Sequence, residues 1–361
     1  MPYDPLARGK HPAAVLTLEY VDIASSRKMP FELWYPAAAA HRDEDLADAT
    51  SDRFTIAPGF PGRKQQAVRD AKPESGTWPL FLYCHGGYGD RRECTHLLTH
   101  LASHGYVVAA PAFAGDSILD TLPGPNGEPA DIAKTPIDES ARRRPRQASS
   151  FLDALSATPL PPGLSLDATR IGIGGFSMGG YTALAFNSFD RRAVSVFAMC
   201  PMYGRRSLVP QVQRLQGLLN VEDWGRPVST LILSGALDPM VNVEDMRELH
   251  GRLAPPKRLL VLARAGHMHW ADDAAAAHEQ YRLGYLSGQF PDPEIDAIAL
   301  GMAMRPISEL CTEEQSGATA RASCLAQMDA LMKGNGEARE FLDRGLVPAL
   351  ARLGVELETF S

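Results

Sequence analysis

The first twenty residues, Met1 to Tyr20, hold no apolar leader and no run long enough to span a bilayer. Membrane insertion is therefore not expected, and the reading is of a cytoplasmic protein; an exported chain trimmed of its signal would look the same. Cysteine is scarce. Cys84, Cys94, Cys200, Cys311 and Cys324 are scattered with no CxxC pair, which argues against a zinc or redox centre. Cys311 and Cys324 flank a polar stretch and would form a disulfide only in an exported protein; the odd total favours free thiols. Basic charge is short as well, since 36 Lys and Arg face 43 Asp and Glu for a net charge of -7. That balance speaks against nucleic acid or an anionic membrane as partner. The one basic run, "ARRRPR" from Ala141 to Arg146, precedes an apolar pattern at Ala148, Phe151, Leu152 and Leu155, and reads as the solvated start of a helix. No GxxxxGK[ST] is present, and the glycines around Gly172 to Gly180 fit GxGxxG only if the motif began inside an apolar strand. Nucleotide binding is not expected.

What the chain does have is alternation. At 361 residues, 45% hydrophobic and 22% charged, it has ordinary globular usage. Short apolar runs such as "PLFLYCHGG", "YVVAAPAF", "RIGIGGFS", "AVSVFAMCP", "VSTLILSGALD" and "RLLVLARAG" alternate with helical patterns. The run after the first of these places Cys94, Leu97, Leu98, Leu101 and Ala102 on one stripe and stops at Gly105, as a crossover helix would. The pattern predicts an α/β protein: a mostly parallel central sheet of about eight strands with helices on both faces. Two long polar segments interrupt it, from Ala38 to Gly76 and from Ala114 to Ser140. The second leaves the C-terminal end of a strand, where open α/β sheets bind ligands. After about Leu286 the strand signal ends and short helices are expected, the last kinked at Pro348. The expected division is a catalytic domain over residues 1–287 and a helical C-terminal extension over 288–361, packing on or near the core.

The chemistry centres on "RIGIGGFSMGGYTALAF", Arg170 to Phe186, where an apolar strand runs into glycines, presents one serine and becomes helical. A nucleophile elbow needs that order: Ser177 in a strained turn, with Gly175 and Gly179 leaving room for close backbone approach. A serine needs a base, and the base needs a carboxylate to orient it. In a fold of this kind they follow in the order Ser, Asp, His. Asp238 ends the strand "LILSGALD", and His267 follows the glycine ending "LLVLARAG". Asp238 could instead begin a turn or cap the next helix, beside the equally acidic Glu244 and Asp245. His269 follows the same strand as His267, which is preferred because it directly follows the glycine. A tetrahedral oxyanion needs two fixed N–H donors. Met178, after the serine, supplies one, and the loop "CHGGYGD" supplies the other, assigned to Gly87 with Tyr88 as runner-up. His85 lies too early to be the base and is expected to orient that loop. Tyr88, Phe113 and Trp270 are expected to edge an apolar pocket.

These residues resemble the α/β-hydrolase superfamily, and within it the bacterial dienelactone-hydrolase-like and platelet-activating-factor-acetylhydrolase-like esterases. The resemblance covers about Ala14 to Leu286. It rests on "HGGYGDRRECTHLLTHLASHGYVVAAP", "GFSMGG", "GALDPMV" and "RAGHMHW". It implies an α/β-hydrolase fold, a triad of Ser177, Asp238 and His267, an oxyanion hole of the Gly87 and Met178 amides, and neither metal nor diffusible cofactor. Dienelactone hydrolases carry cysteine where this chain has Ser177, so their substrate is not expected here. The expected activity is hydrolysis of a small carboxylic ester through an acyl-enzyme; a peptidase or amidase using the same triad, or a non-catalytic binding protein of this fold, are the alternatives. Oligomeric state stays open, a homodimer included.

Overall fold

The computed structural model describes residues 3–56, 59–122, 136–290 and 292–361. Within them the strands are β1 (Ala13–Asp22), β2 (Arg27–Pro36), β3 (Ser51–Thr55), β4 (Gly62–Arg69), β5 (Gly76–Cys84), β6 (Val107–Pro111), β7 (Leu164–Phe176), β8 (Ala193–Met199), β9 (Ser229–Gly235), β10 (Lys257–Leu262) and β11 (Leu357–Phe360). They form one sheet in the order β11-β10-β9-β8-β7-β5-β6-β2-β1-β4-β3. From β6 across to β10 every pairing is parallel. These are the strands with near-continuous buried runs, since helices cover parallel sheets. Antiparallel pairs, β1 with β2, β2 with β6, β3 with β4 and β10 with β11, extend the sheet on both sides.

Among the described residues eleven strands stand where about eight are expected. β3 and β4 lie inside the first long polar segment. Their buried positions include Asp52 and Gln65, so no apolar alternation marks them. Gln65 instead accepts from the Trp34 indole at 2.7 Å and donates to Asp52 at 2.7 Å, a polar network standing in for a hydrophobic face. β11 is a four-residue edge strand with no fully buried position. It was too short and too exposed to carry a pattern.

The helices nearest the site are α1 (Thr95–Ser103), α2 (Ile137–Ala157), α3 (Met178–Phe186), α4 (Pro210–Leu215), α5 (Val243–Arg252), α6 (Ala274–Leu286), α7 (Ala297–Ala303) and α8 (Glu313–Met332), followed by α9 (Gly336–Glu340) and α10 (Leu346–Ala351). α1 and α8 pack side by side against the sheet, and α2 and α3 form a second such pair. The region after Leu286 was expected to hold short helices, yet α8 runs for 20 residues. Nearly every residue from Ser316 to Met332 is buried, so the helix has no polar face and no stripe for periodicity to reveal. Its small residues, Gly317, Ala318, Ala320, Ala322 and Ala326, let it lie close to its neighbours. Met328 covers Gly172 of β7, where a Cβ would stand 2.7 Å from the sulfur. Near the C-terminus a π turn at Phe341–Gly345 separates α9 from α10, just upstream of Pro348. That proline has no N–H for the Arg344 carbonyl four residues back.

All five cysteines are free and buried. Among the described residues no helix is long and apolar enough to cross a membrane.

Candidate functional site

Because β5, β7, β9 and β10 run parallel, the loops after them emerge on one edge of the sheet. The turn after β7 is tight. Ser177 sits at φ 57°, a conformation that a non-glycine residue adopts at a cost of about 1–3 kcal/mol. Its N–H is held by the Met199 carbonyl at 2.8 Å, and its carbonyl accepts from Tyr181 and Met202. The turn closes only because Gly175 and Gly179 lie against the Cys84 carbonyl; a Cβ on either would come within 2.2 Å of that oxygen.

Three of the sequence-predicted residues meet there. Ser177 Oγ lies 3.0 Å from His267 Nε2, and His267 Nδ1 lies 2.7 Å from Asp238 Oδ2. Asp238 is itself fixed, its Oδ1 accepting the Met240 and Val241 N–H groups at 2.8 Å each. None of the three exceeds 8% exposure, so their hydrogen bonds are formed out of bulk water. His269 takes no part. Its Nδ1 accepts from the Gly266 N–H, its ring lies against His278, and burial pushes it down to about 4.

The loop after β5 faces the serine. A Cβ at Gly87 would stand 3.7 Å from Met178 Cβ, which puts the two backbones side by side. Among the described residues, neither the Gly87 nor the Met178 N–H has a protein acceptor. Tyr88, the runner-up, has its N–H committed to Asp116 Oδ1 at 2.9 Å. His85 lies beneath this loop, donating from Nδ1 to the Gly86 carbonyl at 2.7 Å and accepting the Phe113 N–H at Nε2. Burial, with Arg144 adding to it, holds its imidazole well below the ordinary range and so neutral.

Arg144 was hidden in the sequence. It belongs to "ARRRPR", read as solvated, but its side chain is fully buried. Its guanidinium donates to the carbonyls of His85 at 2.5 Å and Gly86 at 3.3 Å, pairs with Asp116 at 3.2 Å, and lies 4.4 Å over the Phe113 ring. The missed signal is positional: residues 144, 148, 151 and 155 fall on one helical stripe, so this arginine lies in register with the buried face. Glu93 carries no signal in the sequence for its place here. It accepts the Gly86 N–H at 2.6 Å and the Tyr83 hydroxyl at 2.9 Å, both at Oε1.

Ser177 and His267 open into a cavity of about 560 Å³. Its apolar lining includes Met178, Met202, Val209, Val212, Met240, Met268, Tyr281, Tyr285 and Ile295. Of the three side chains expected at its edge, Tyr88 lines it, while Phe113 and Trp270 do not. Both are completely buried. Phe113 fills the space under Arg144, and Trp270 bolts the His267 turn down, its indole N–H reaching Cys200 Sγ at 2.9 Å and its carbonyl accepting from Cys94 and His96 at 3.1 Å. The second long polar segment contributes Asp116, Pro136, Ile137 and Ser140 to the lining; residues 123–135 lie outside the described residues. The outer wall is a cap made of α4 and the chain from 292 to α7. Its small core is shared with the loop after β9 and with α6: Val209, Val212, Leu300 and Met304 pack with Met240 and Tyr285. Gln211 donates to Asp292 at 3.0 Å, and Arg214 pairs with Glu294 at 2.9 Å, clasping its two halves together.

Among the described residues one group could offer three close ligand atoms to a metal: Cys200, Asp238 and His267. Their atoms are spent on one another and on Trp270. What the arrangement can do without an ion is remove a proton from Ser177 Oγ and hold negative charge at two adjacent amides.

The profile of the chlorophyllase family matches residues 64–199, a stretch that contains Gly87, Ser177 and Met178 but stops before Asp238 and His267. Chloroplastic chlorophyllase-1 of Citrus unshiu is 24% identical over 165 residues, spanning 42% of this chain and 45% of that protein, so the likeness covers less than half of the relative's length. A solved ferulic acid esterase from Streptomyces cinnamoneus superposes with a TM-score of 0.59 at 22% identity, covering 90% of this chain and 92% of its own. With the parallel sheet, the strand-turn-helix at Ser177 and that superposition in hand, the chain has the α/β-hydrolase fold.

Proposed function

We propose that the protein is a serine hydrolase of carboxylic esters. The observation that carries the reading is the unbroken chain from Ser177 through His267 to Asp238, opening into a cavity beside two unengaged amides. His267 Nε2 takes the Ser177 proton as Oγ attacks the ester carbonyl. Gly87 and Met178 hold the oxyanion, and such donors are worth about a hundredfold or more in rate each. His267 then returns the proton to the leaving alcohol, and a water it deprotonates releases the acyl group from Ser177. Asp238 keeps Nδ1 protonated and stabilises the imidazolium that forms in each half. A structural neighbour that is a ferulic acid esterase supports the ester over other acyl substrates.

The cavity also favours a kind of ester. Methionine, valine and tyrosine side chains suit an apolar or aromatic group. Of the carboxylates on its wall Asp116 is paired with Arg144 and Glu294 with Arg214, which leaves Asp292, held by neutral donors, as the net charge. Uncharged esters should therefore turn over faster than carboxylate-bearing ones of equal size. The test is a panel of chromogenic esters graded in acyl length, with one anionic member and one matched amide, run on wild type and Ser177→Ala, with phosphonate labelling of the serine. Ester turnover and a covalent adduct at Ser177, both lost in the variant, are expected. Amide turnover above ester turnover would make it an amidase, and neither turnover nor adduct would leave a binding protein.

A further inference from the structure

Beside the site stands Glu93, a carboxyl paired with no cation among the described residues. It sits where the loop after β5 enters α1. Oε1 accepts two hydrogen bonds, from the backbone N–H of Gly86 and from the Tyr83 hydroxyl. Oε2 has no partner among the described residues and stands next to Gly86 and Gly89, on the cavity wall. Gly86 immediately precedes Gly87, so the carboxyl fixes the peptide that aims the second oxyanion donor. We propose, resting on the hydrolase reading, that Glu93 is a positioning residue for the oxyanion loop and that its uncharged acid is the working form.

The geometry gives the reason. With Oε1 saturated by donors, the proton of the acid resides on Oε2 and leaves both loop bonds intact. Once it is lost, a full negative charge stands one residue behind the amide that must stabilise the oxyanion. The groups facing Glu93 are Tyr83 on β5, Asp90 in its own loop, Cys94 at the start of α1, Arg144 on α2 and Tyr281 on α6. Burial, the largest influence, pushes Glu93 up to about 8, against the Gly86 and Tyr83 hydrogen bonds and Arg144, which favour the ionised form, and with Asp90, which opposes it. The acid thus prevails at neutral pH, and the charge arrives on the alkaline side.

The experiment measures kcat and KM for a neutral ester from pH 6 to 10 in wild type, Glu93→Gln and Glu93→Ala, together with the amide resonance of Gly86 over the same range. Wild-type kcat should fall several-fold through about pH 8 with KM nearly unchanged. Glu93→Gln keeps an acceptor for Gly86 but cannot ionise; it should retain more than a third of neutral-pH kcat and lose that fall. Glu93→Ala should lose about tenfold in kcat at all pH values, as a mispositioned donor does. The Gly86 amide should titrate in wild type and not in Glu93→Gln. Superimposable pH profiles for wild type and Glu93→Gln, or a Gly86 amide that does not move with pH, overturn the proposal. Failure of the hydrolase reading looks different: wild type would show neither turnover nor a Ser177 adduct, while the Gly86 titration would still decide whether Glu93 governs the loop.

Discussion

The sheet edge and the cap bound the same cavity but are held by different forces. On the edge, Ser177, Asp238 and His267 follow strands whose side chains belong to the main core; buried backbone hydrogen bonds tie Ser177 and Asp238, and Asp238 holds His267. The cap has a small core, completed by Met240 and Tyr285 from outside it, and an exposed clasp, its Arg214 and Glu294 side chains both nearly half exposed. Bonds in the first region are formed where no water competes, and those in the second are screened. On the proposed hydrolase reading, rate and stability would reside in the edge and substrate choice in the cap.

The comparison breaks first, if it breaks, at the serine. Ser177→Ala should cut ester turnover by about 10⁴-fold or more while leaving thermal stability close to wild type, since alanine keeps the same backbone strain and only the bond to His267 is lost. Next in size is Arg144→Gln, which leaves Asp116 and two carbonyls buried without their cation. A loss of about 3–5 kcal/mol in urea unfolding is expected, with kcat falling as the loop loosens. A smaller effect tests the reach of the extension into the edge. Gly172→Ala drives a methyl into Met328 and should cost about 1–3 kcal/mol. Combined with Met328→Ala, it should cost less than the sum of the two, and additivity in that double-mutant cycle would deny the contact. Smallest is Arg214→Ala in the cap, at under about 1 kcal/mol in stability, read instead as a change of KM that 0.5 M salt reproduces in wild type. A cap variant that unfolds the protein, or an edge variant that alters only KM, would erase the distinction.

The sequence was most legible where burial and chemistry coincide. Strands covered on both faces wrote themselves as apolar runs, and their ends located Ser177, Asp238 and His267. β3 and β4 stayed hidden because Asp52 and Gln65 fill buried positions with polar atoms that satisfy one another. α8 stayed hidden for the opposite reason: burial on every side removes the contrast on which periodicity depends. Arg144 was misjudged because charge ordinarily signals solvent, and only its register with Ala148, Phe151 and Leu155 betrays it. Phe113 and Trp270 mark the limit of judging a pocket by aromatic residues near strand ends, since the same residues serve to prop its floor. The cap residues come from segments far apart in the chain, and no local pattern links Gln211 to Asp292.

The seat of Met328 over Gly172 has a consequence for how the molecule is made. The strand that presents the nucleophile is finished by a helix synthesised more than a hundred residues later, so its packing is among the most non-local in the protein. Such contacts are slow to form, because a long loop must close before they reward the chain. During synthesis the apolar strands β7 and β8, on which α8 packs, therefore wait for it to leave the ribosome, and that interval is when this protein would most need a chaperone.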